Sequence, residues 1–247
     1  LADAARAILD EYLASSDGAV RLQAAGALAR LGDARGVAAL RESLAEGGGR
    51  ARFAAAALAQ IEDAEGLSFL RRSLASKRRE ERLSAAVALA RAGDASGRGQ
   101  LEEALRGGSR LVAAEMLPRL GHARGREILR VALDSTDRGE RALAAIALGH
   151  ARDATARGAL RALVHEGSSP QLAALALARL GDTAALPALV ECLDHSAFRV
   201  EAAAELVLLG ARGDTEPTER LRAALASEPP AGRIAAALAV LLLHERG

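Results

Sequence analysis

The stretch Val20-Arg21-Leu22-Gln23-Ala24-Ala25-Gly26-Ala27-Leu28 decides the fold, because its ending recurs along the whole chain. The recurring pattern is Ala-Ala-x-Ala-Leu, and two of its copies replace the fourth residue. The copies lie at Ala24–Leu28, Ala54–Leu58, Ala85–Leu89, Ala113–Leu117, Ala144–Leu148, Ala173–Leu177 and Ala202–Leu206, and a degenerate copy ends at Leu238. The final leucines, here called anchor leucines, are 30, 31, 28, 31, 29, 29 and 32 residues apart. A nearly fixed period of this length indicates a repeat protein.

A second apolar pattern lies between the anchor leucines. Apolar residues four apart, which share one face of a helix, recur once in each repeat. These pairs begin at Leu9, Leu40, Leu70, Leu101, Leu129, Leu160, Leu189 and Leu221. Each repeat is therefore predicted to contain a helix A, a turn and a helix B, where helix B carries the anchor leucine.

The composition agrees with an all-α fold, because half of the residues are hydrophobic but only 2% are aromatic. Ala and Leu, which favour helices, must then form the core. We predict a right-handed α-solenoid of eight repeats that forms a single domain over residues 1–247. The approximate repeat boundaries are 1–32, 33–62, 63–93, 94–121, 122–152, 153–181, 182–213 and 214–247.

Turn residues recur at fixed places in the repeat. Five residues after the anchor, an aspartate is placed to accept backbone N–H groups at the start of the next helix A. These aspartates are Asp33, Asp63, Asp94, Asp153 and Asp182, and His122 takes the position once. Glycines just after helix B are expected in the left-handed conformation that ends a helix. They are Gly32, Gly93, Gly121, Gly181 and Gly210.

These residues resemble the short HEAT-like repeats named after phycobilisome lyases. The match is best at Gly181-Asp182, Leu186-Pro187-Ala188-Leu189, Asp194 and the segment from Arg199 to Leu206. The resemblance implies the fold and leaves the function open, although a bilin lyase is its enzymatic option. The Arg seven residues before the anchor is missing from three copies, so we expect the family's Asp–Arg ladder to be interrupted.

No catalytic motif stands out in the sequence. The net charge of +1 gives no overall attraction to nucleic acid or membrane. We predict no catalytic residue, no metal site and no cofactor. Asp153 and Asp182 are interpreted as helix caps, and Cys192, the single cysteine, as a small packing residue. No apolar run is long enough to span a membrane, and we expect a cytoplasmic protein.

The sequence therefore predicts a non-enzymatic scaffold that binds a segment of another protein along a concave surface. Two alternatives stay open: a solenoid that binds nucleic acid through an Arg-lined groove, and a non-catalytic subunit of a larger enzyme or complex. The partner is expected to be a peptide or helix, with acidic residues as an option, and nucleic acid is the less favoured partner.

The expected binding residues follow from helical geometry. On helix B, the positions five and two residues before the anchor and two after it face away from the core. Basic residues recur at the last of these positions, and in the three middle repeats large apolar residues take five of the six places at the first two, with Glu115 as the exception. The predicted partner groove contains Arg30, Arg91, Val112, Arg119, Leu143, Ile146, Leu172, Leu175 and Arg179.

The C-terminal segment 231–244 is predicted to be a helix that is apolar on all sides. Such a helix should be covered by other protein. We expect either that the chain continues past it or that it associates with a second molecule.

Overall fold

The computed structural model describes residues 2–166, 170–192, 202, 205–206, 208–209, 219, 222–226 and 229–245. Within these residues the chain is helical with short turns and contains no strand. The predicted all-α solenoid of helix–turn–helix repeats is confirmed. Asp194, Arg199, Gly210 and Leu221, which the sequence pattern singles out, lie outside the described residues.

Helices A and B alternate along the described chain. The A helices are α1 (Ala2–Leu13), α3 (Ala34–Glu46), α5 (Ala64–Ser73), α7 (Arg98–Ala104), α9 (Arg124–Ala132), α11 (Arg157–Glu166) and α13 (Leu186–Cys192). The B helices are α2 (Gly18–Arg30), α4 (Gly48–Gln60), α6 (Arg79–Arg91), α8 (Arg110–Met116), α10 (Arg138–His150) and α12 (Pro170–Arg179). A further helix, Pro230–Glu245, is called the C-terminal helix below. Short 3-10 turns lie at Ala95–Gly97, Leu117–Leu120, Ala154–Ala156 and Thr183–Ala185.

The predicted capping aspartates do accept backbone N–H groups. The side chain of Asp63, for example, accepts from the backbone nitrogens of Glu65 and Gly66 at 3.0 and 3.3 Å. Asp33, Asp94, Asp153 and Asp182 cap their helices in the same way. The position of His122 differs, because the N-cap of α9 is Ala123 and no side chain caps that helix. Each aspartate satisfies backbone donors that the first turn of a helix leaves open.

The ends of the B helices also follow the sequence pattern. Gly32, Gly93, Gly121 and Gly181 have φ between 71° and 79°, the left-handed conformation expected of them. Where the repeat has no glycine at this place, Glu62 and Arg152 adopt the same conformation with φ of 60° and 55°. The turn geometry is therefore common to repeats with and without the glycine.

Arginines near the start of the B helices close the turn between helices A and B. Nη1 of Arg21 donates to the carbonyl oxygen of Ser15 at 2.8 Å, and Arg82 and Arg141 donate to Ser76 and Ser135 at 2.9 and 2.6 Å. These arginines hold the position seven residues before the anchor. They therefore have a structural role in the turn.

The core is made of small and medium-sized side chains. The anchor leucines from Leu28 to Leu177 are fully buried, as are the alanines three residues before them. Alanine at this position allows neighbouring helices to approach closely, and close packing supplies the stabilising contacts.

The described residues form two compact units. The first contains the described residues of Leu1–Ala92 and Thr218–Gly247, and the second those of Gly93–Pro217. Organisation of the whole chain as a single domain stays a prediction.

The C-terminal helix belongs to the first unit and packs against α1 and α2. Ile234, Ala236, Ala237, Val240 and Leu241 of this helix are buried. The chain's own first two helices therefore cover one face of this helix, and its contact with further chain or a second molecule stays a prediction. The sequence pattern could not show this, because residues about 220 positions apart come together only through the tertiary fold.

Candidate functional site: a groove in the first unit

A groove of about 430 Å³ opens between the B helices of the first unit. It is called the first-unit groove below. Its lining residues are Gln23, Gly26, Ala27 and Arg30 of α2, Phe53, Ala56, Ala57 and Gln60 of α4, Arg91 of α6, and Ile234, Ala235 and Leu238 of the C-terminal helix. Three B helices and the C-terminal helix thus contribute to one concave site.

The position of each lining residue follows from helical geometry. Gln23, Gly26 and Arg30 lie five and two residues before the anchor Leu28 and two after it, and Phe53, Ala56 and Gln60 relate to Leu58 in the same way. These positions lie opposite the buried anchor on a helix with about 3.6 residues per turn. The face predicted to point away from the core is therefore the face that lines the groove.

The groove contains cationic groups that lack carboxylate partners. Arg30 and Arg91, both predicted binding residues, are exposed and lie in the same groove. Neither guanidinium has a hydrogen bond or ion pair among the described residues. No Asp or Glu belongs to the described lining. The electrostatic potential of the groove is consequently positive.

An apolar surface lies beside these arginines. The side chain of Phe53 is 49% exposed, although it is large and aromatic. Ile234 and Leu238 of the C-terminal helix add aliphatic groups to the lining. The sequence interpretation did not include Phe53, Gln23 or Gln60, although their spacing from the anchors could have identified them. The contribution of the C-terminal helix had no local signal, because it depends on the packing against α1 and α2.

The other predicted binding residues lie in the second unit. Val112, Leu143 and Leu172 are 45%, 59% and 38% exposed and hold the same position in α8, α10 and α12. They are called the apolar row below. Ile146 and Leu175 were expected to extend the row, but they are buried. This correction has a packing reason: α10 and α12 are in contact, and their interface covers side chains two residues before the anchor.

The basic residues beside the apolar row differ in their partners. Arg119 is exposed and has no ion pair within the described part of the chain. Nε of Arg179, in contrast, lies 3.3 Å from Oε1 of Glu205. His150 holds the equivalent position in α10, and its Nδ1 lies 3.5 Å from Oε1 of Glu115.

A second groove, of about 630 Å³, lies between α4, α5 and α6. Its one carboxylate, Glu81, accepts a hydrogen bond from Oγ of Ser76 at 2.6 Å and lies 3.1 Å from Nη1 of Arg52. Hydrogen bonding from Ser76 and the charges of Arg78 and Arg52 lower the pKa of Glu81. In the second unit, Ser135 donates to Glu140 at 2.5 Å, and Arg110 pairs with the same carboxylate. Because the network is repeated, we interpret Glu81 as structural.

Further aspartates form ion pairs between successive repeats. An arginine of helix A contacts the capping aspartate of the next repeat at 2.6 to 2.9 Å. The pairs are Arg41–Asp63, Arg130–Asp153 and Arg161–Asp182. Burial alone would raise the pKa of Asp153, but hydrogen bonds from Thr155 and Arg130 lower it below its usual value. Asp153 and Asp182 are therefore not free to act as a catalytic carboxylate pair.

The remaining reactive groups form no cluster in the described part of the chain. Cys192 is buried, and its burial raises the pKa of the thiol. No group of three or more His, Cys, Asp or Glu residues among those described could hold a metal ion. No helix built from these residues is long and apolar enough to cross a membrane.

The sequence pattern described as the PBS lyase HEAT-like repeat matches residues 20–46 and 172–195. The chain contains HEAT-like repeats of the PBS lyase type. Comparison with curated protein sequences finds no match. Among solved structures, the complex of CpcE and CpcF of phycocyanin lyase from Nostoc sp. PCC7120 is similar, with a TM-score of 0.51 and 20% identity. That likeness covers 94% of this chain and 93% of the other. Human deoxyhypusine hydroxylase in complex with glycerol matches with a TM-score of 0.46 and 20% identity over 100% of this chain and 97% of the other chain.

These comparisons correct the prediction of a non-enzymatic scaffold. That prediction took a helical solenoid without a catalytic motif as a sign of binding alone. The same fold over nearly the whole chain is found in phycocyanin lyase, so this architecture does not separate a scaffold from an enzyme. The predictions of a scaffold and of a non-enzyme are both contradicted.

Proposed function

We propose that this chain is a subunit of a lyase-type enzyme and that it acts in complex with a second protein chain. The supporting observation is the fold shared with a chain of the complex of CpcE and CpcF of phycocyanin lyase, over 94% of this chain and 93% of that chain. The alternative drawn from the sequence, a non-catalytic subunit of a larger enzyme or complex, agrees with this proposal in that the chain acts as a subunit, and the proposal adds that the chain binds the substrate.

The first-unit groove is the proposed substrate site. It offers guanidinium and amide groups that donate hydrogen bonds. Among the described residues, its lining contains no Asp, Glu, His, Cys, Ser or Lys that could transfer a proton or act as a nucleophile. The reacting group would then come from the second chain or from the substrate itself, and this explains why the enzyme needs a partner.

The apolar row is the proposed contact surface for the second chain. Three large apolar side chains at equivalent positions of consecutive repeats form a surface that water solvates poorly. Arg119 lies beside them without an ion pair in the described part of the chain. Apolar centres flanked by arginine are typical of protein interfaces.

The proposal is tested by co-expression of the chain with candidate HEAT-like partners from the same host and by light scattering of the purified product. The wild-type chain should form a defined complex with one of them. The variant Leu143→Ser/Leu172→Ser should stay alone in solution while keeping its helical melting curve. Val131→Ser is the matched control, because Val131 is 74% exposed on α9, outside the apolar row.

Catalysis is tested with the same samples. Extracts of the host are incubated with the complex or with either chain alone, and products of addition or elimination are sought by mass spectrometry. Product that forms only with the complex supports the proposal. A complex that forms but changes no molecule would contradict the enzymatic part, and a wild-type chain that stays alone with every partner would contradict the subunit part.

A further inference from the structure

We propose that the first-unit groove binds a small organic anion, in which one or two acidic groups are attached to a compact apolar body. The inference deepens the proposed function, because it names the substrate class of the proposed enzyme. It rests on the lining of the groove, and binding can be measured on this chain without its partner.

Two arginines that lack carboxylate contacts among the described residues indicate that the ligand of the groove is an anion. Elsewhere in the same unit, Arg35, Arg41 and Arg52 each contact a carboxylate at 2.6 to 3.1 Å. Arg30 and Arg91 have no such contact with the described residues, although they come from different repeats and line one concave site. Guanidinium groups form two parallel hydrogen bonds with carboxylates and with tetrahedral oxyanions such as phosphate, so a carboxylate or a sulfonate fits both charge and geometry.

The apolar part of the lining indicates that the ligand also has an apolar body. Phe53 presents half of its surface to the groove and to solvent, and Ile234 and Leu238 lie along the same lining. A free inorganic anion would gain nothing from these side chains. A ligand with an apolar body would cover them and gain about 25 cal/mol for each Å² of apolar surface removed from water.

The size of the groove favours a small molecule. Its volume of about 430 Å³ lies within the range of roughly 300–1,000 Å³ that is usual for small-molecule sites. The C-terminal helix limits the groove as a fourth wall beside α2, α4 and Arg91. Nucleic acid is less well suited, because Phe53 is the one aromatic side chain in the described lining and successive bases need several stacking partners.

The test compares two fluorescent probes with the same kind of aromatic body. 8-Anilinonaphthalene-1-sulfonate carries an acidic group, and N-phenyl-1-naphthylamine lacks it. The purified chain should bind the sulfonate about tenfold more tightly or better, because hydrogen bonds between charged groups are stronger than neutral ones. The variant Arg30→Gln/Arg91→Gln should remove this preference and bind both probes with similar, weak affinity.

Two further variants make the result specific to the groove. Arg79→Gln/Arg126→Gln removes two exposed arginines outside the groove and should bind the sulfonate like the wild type, which controls for net charge. Gly26→Leu keeps both groove arginines but fills the groove, and it should weaken both probes. An added Cβ at Gly26 lies 3.9 Å from Cβ of Ala57, an ordinary contact, and the helical melting curve of the leucine variant checks that it folds.

The proposal would be overturned if the Arg30→Gln/Arg91→Gln variant bound the sulfonate as tightly as the wild type, or if the wild type bound both probes equally. Either result leaves the proposed enzyme complex testable by light scattering. A wild-type chain that binds the anionic probe but forms no complex would instead contradict the proposed function and support the anion site.

Discussion

At the scale of single residues, Gly66 shows a constraint that depends on two helices at once. A Cβ at Gly66 would lie 2.5 Å from Cβ of Leu58 and 2.9 Å from the carbonyl oxygen of Ala55. Gly36 and Gly125 hold equivalent positions, and a Cβ at either would lie 2.5 Å from a backbone oxygen of the preceding helix B. At these repeats, helix A approaches the backbone of helix B as closely as a glycine allows.

The variant Gly66→Ala should therefore destabilise the protein, although alanine favours helices more than glycine does. Because the contacts that tighten belong to a packed core, we expect a loss of about 1–3 kcal/mol in the free energy of unfolding, measured with urea. Gly49→Ala is the control, because a Cβ at Gly49 has no neighbour within 4 Å. Equal stability of the two variants would show that helices A and B are less close than described.

The capping aspartates could be predicted from the sequence, whereas the close contact between helices A and B could not. The caps at Asp33 and Asp63 could be predicted, because a side chain that bonds to a backbone N–H two or three residues later is a local matter. The need for glycine could not, because it depends on the distance between two helices. Glycine recurs at this place as Gly36, Gly66, Gly97 and Gly125, whereas two other repeats hold buried Ala156 and Ala185. The sequence therefore shows a small residue there but not the close contact that requires it.

At the scale of the helices, the ion pairs and hydrogen bonds of the capping aspartates make stability depend on pH. Hydrogen bonding and charge from Arg35 lower the pKa of Asp33 to about 2, and the pKa values of Asp63 and Asp153 also lie below the ordinary range. A carboxyl group with a lowered pKa in the folded state stabilises the fold above its unfolded pKa of about 3.9. That contribution is lost as the pH falls from about 4 toward the folded pKa.

The free energy of unfolding should consequently fall below pH ~4. Asp33→Asn should reduce this dependence, since asparagine keeps the helix cap but does not titrate. Asp134→Asn serves as the control, because Asp134 is exposed and has no ion pair among the described residues. Urea unfolding at a series of pH values measures the effect, and identical pH profiles for wild type and Asp33→Asn would contradict it.

Among the described residues, one pair of successive repeats lacks the arginine–aspartate ion pair. Where other repeats pair an arginine of helix A with a capping aspartate, α7 has Glu102 and the cap position has His122, with Nε2 and Oε1 3.4 Å apart. Nδ1 of His122 is buried and has no hydrogen-bond partner in the described structure. Replacement of Glu102 by arginine and of His122 by aspartate should restore the ion pair of the other repeats.

We expect Glu102→Arg/His122→Asp to be more stable than either single variant, because His122→Asp alone places two carboxylates together and Glu102→Arg alone leaves the new arginine without a carboxylate at the cap position. The coupling free energy from a double-mutant cycle should be about 1 kcal/mol, since the comparable aspartates are largely buried. Additive effects of the two changes would show that the pair does not interact. An interrupted ladder was expected from the missing arginines of the B helices. The ion pairs between arginines of helix A and the capping aspartates were not predicted.

At the scale of the whole molecule, the contact between the C-terminal helix and α1 brings the first and last described helices together. Arg233 donates from Nη1 to the hydroxyl oxygen of Tyr12 at 2.7 Å, and its guanidinium lies 5.1 Å from the centre of the Tyr12 ring. Nε of Arg233 also donates to the carbonyl oxygen of Leu225 at 2.8 Å. This contact holds one wall of the first-unit groove.

Arg233→Gln should loosen that wall. Loss of the cation–π contact and of the hydrogen bonds should cost about 1–2 kcal/mol. Hydrogen exchange should become faster in Pro230–Glu245, while α3 and α5 keep their protection. Arg222→Gln is the control, because Arg222 is exposed and has no described partner. Unchanged exchange in the Arg233→Gln variant would show that apolar packing alone holds the helix.

The repeat period and the alternation of helices A and B were predictable at this scale, because every repeat carries the same apolar spacing. The groove was only partly predictable. Arg30 and Arg91 follow from their spacing to the anchors, but Ile234 and Leu238 reach the groove because the C-terminal helix packs on the first repeat. The sequence resemblance left an enzyme as an option, but neither the repeat pattern nor the lining described for the groove contains a catalytic motif that would favour it.

The most direct test of the proposed enzyme measures product formation by this chain, by its partner and by their complex under the same conditions. We predict product from the complex alone, and loss of product both in Leu143→Ser/Leu172→Ser, which should not assemble, and in Arg30→Gln/Arg91→Gln, which should assemble but not bind substrate. Product formed by the partner without this chain, or an assembled complex that forms none, would contradict the proposal that this chain is a working subunit of a lyase-type enzyme.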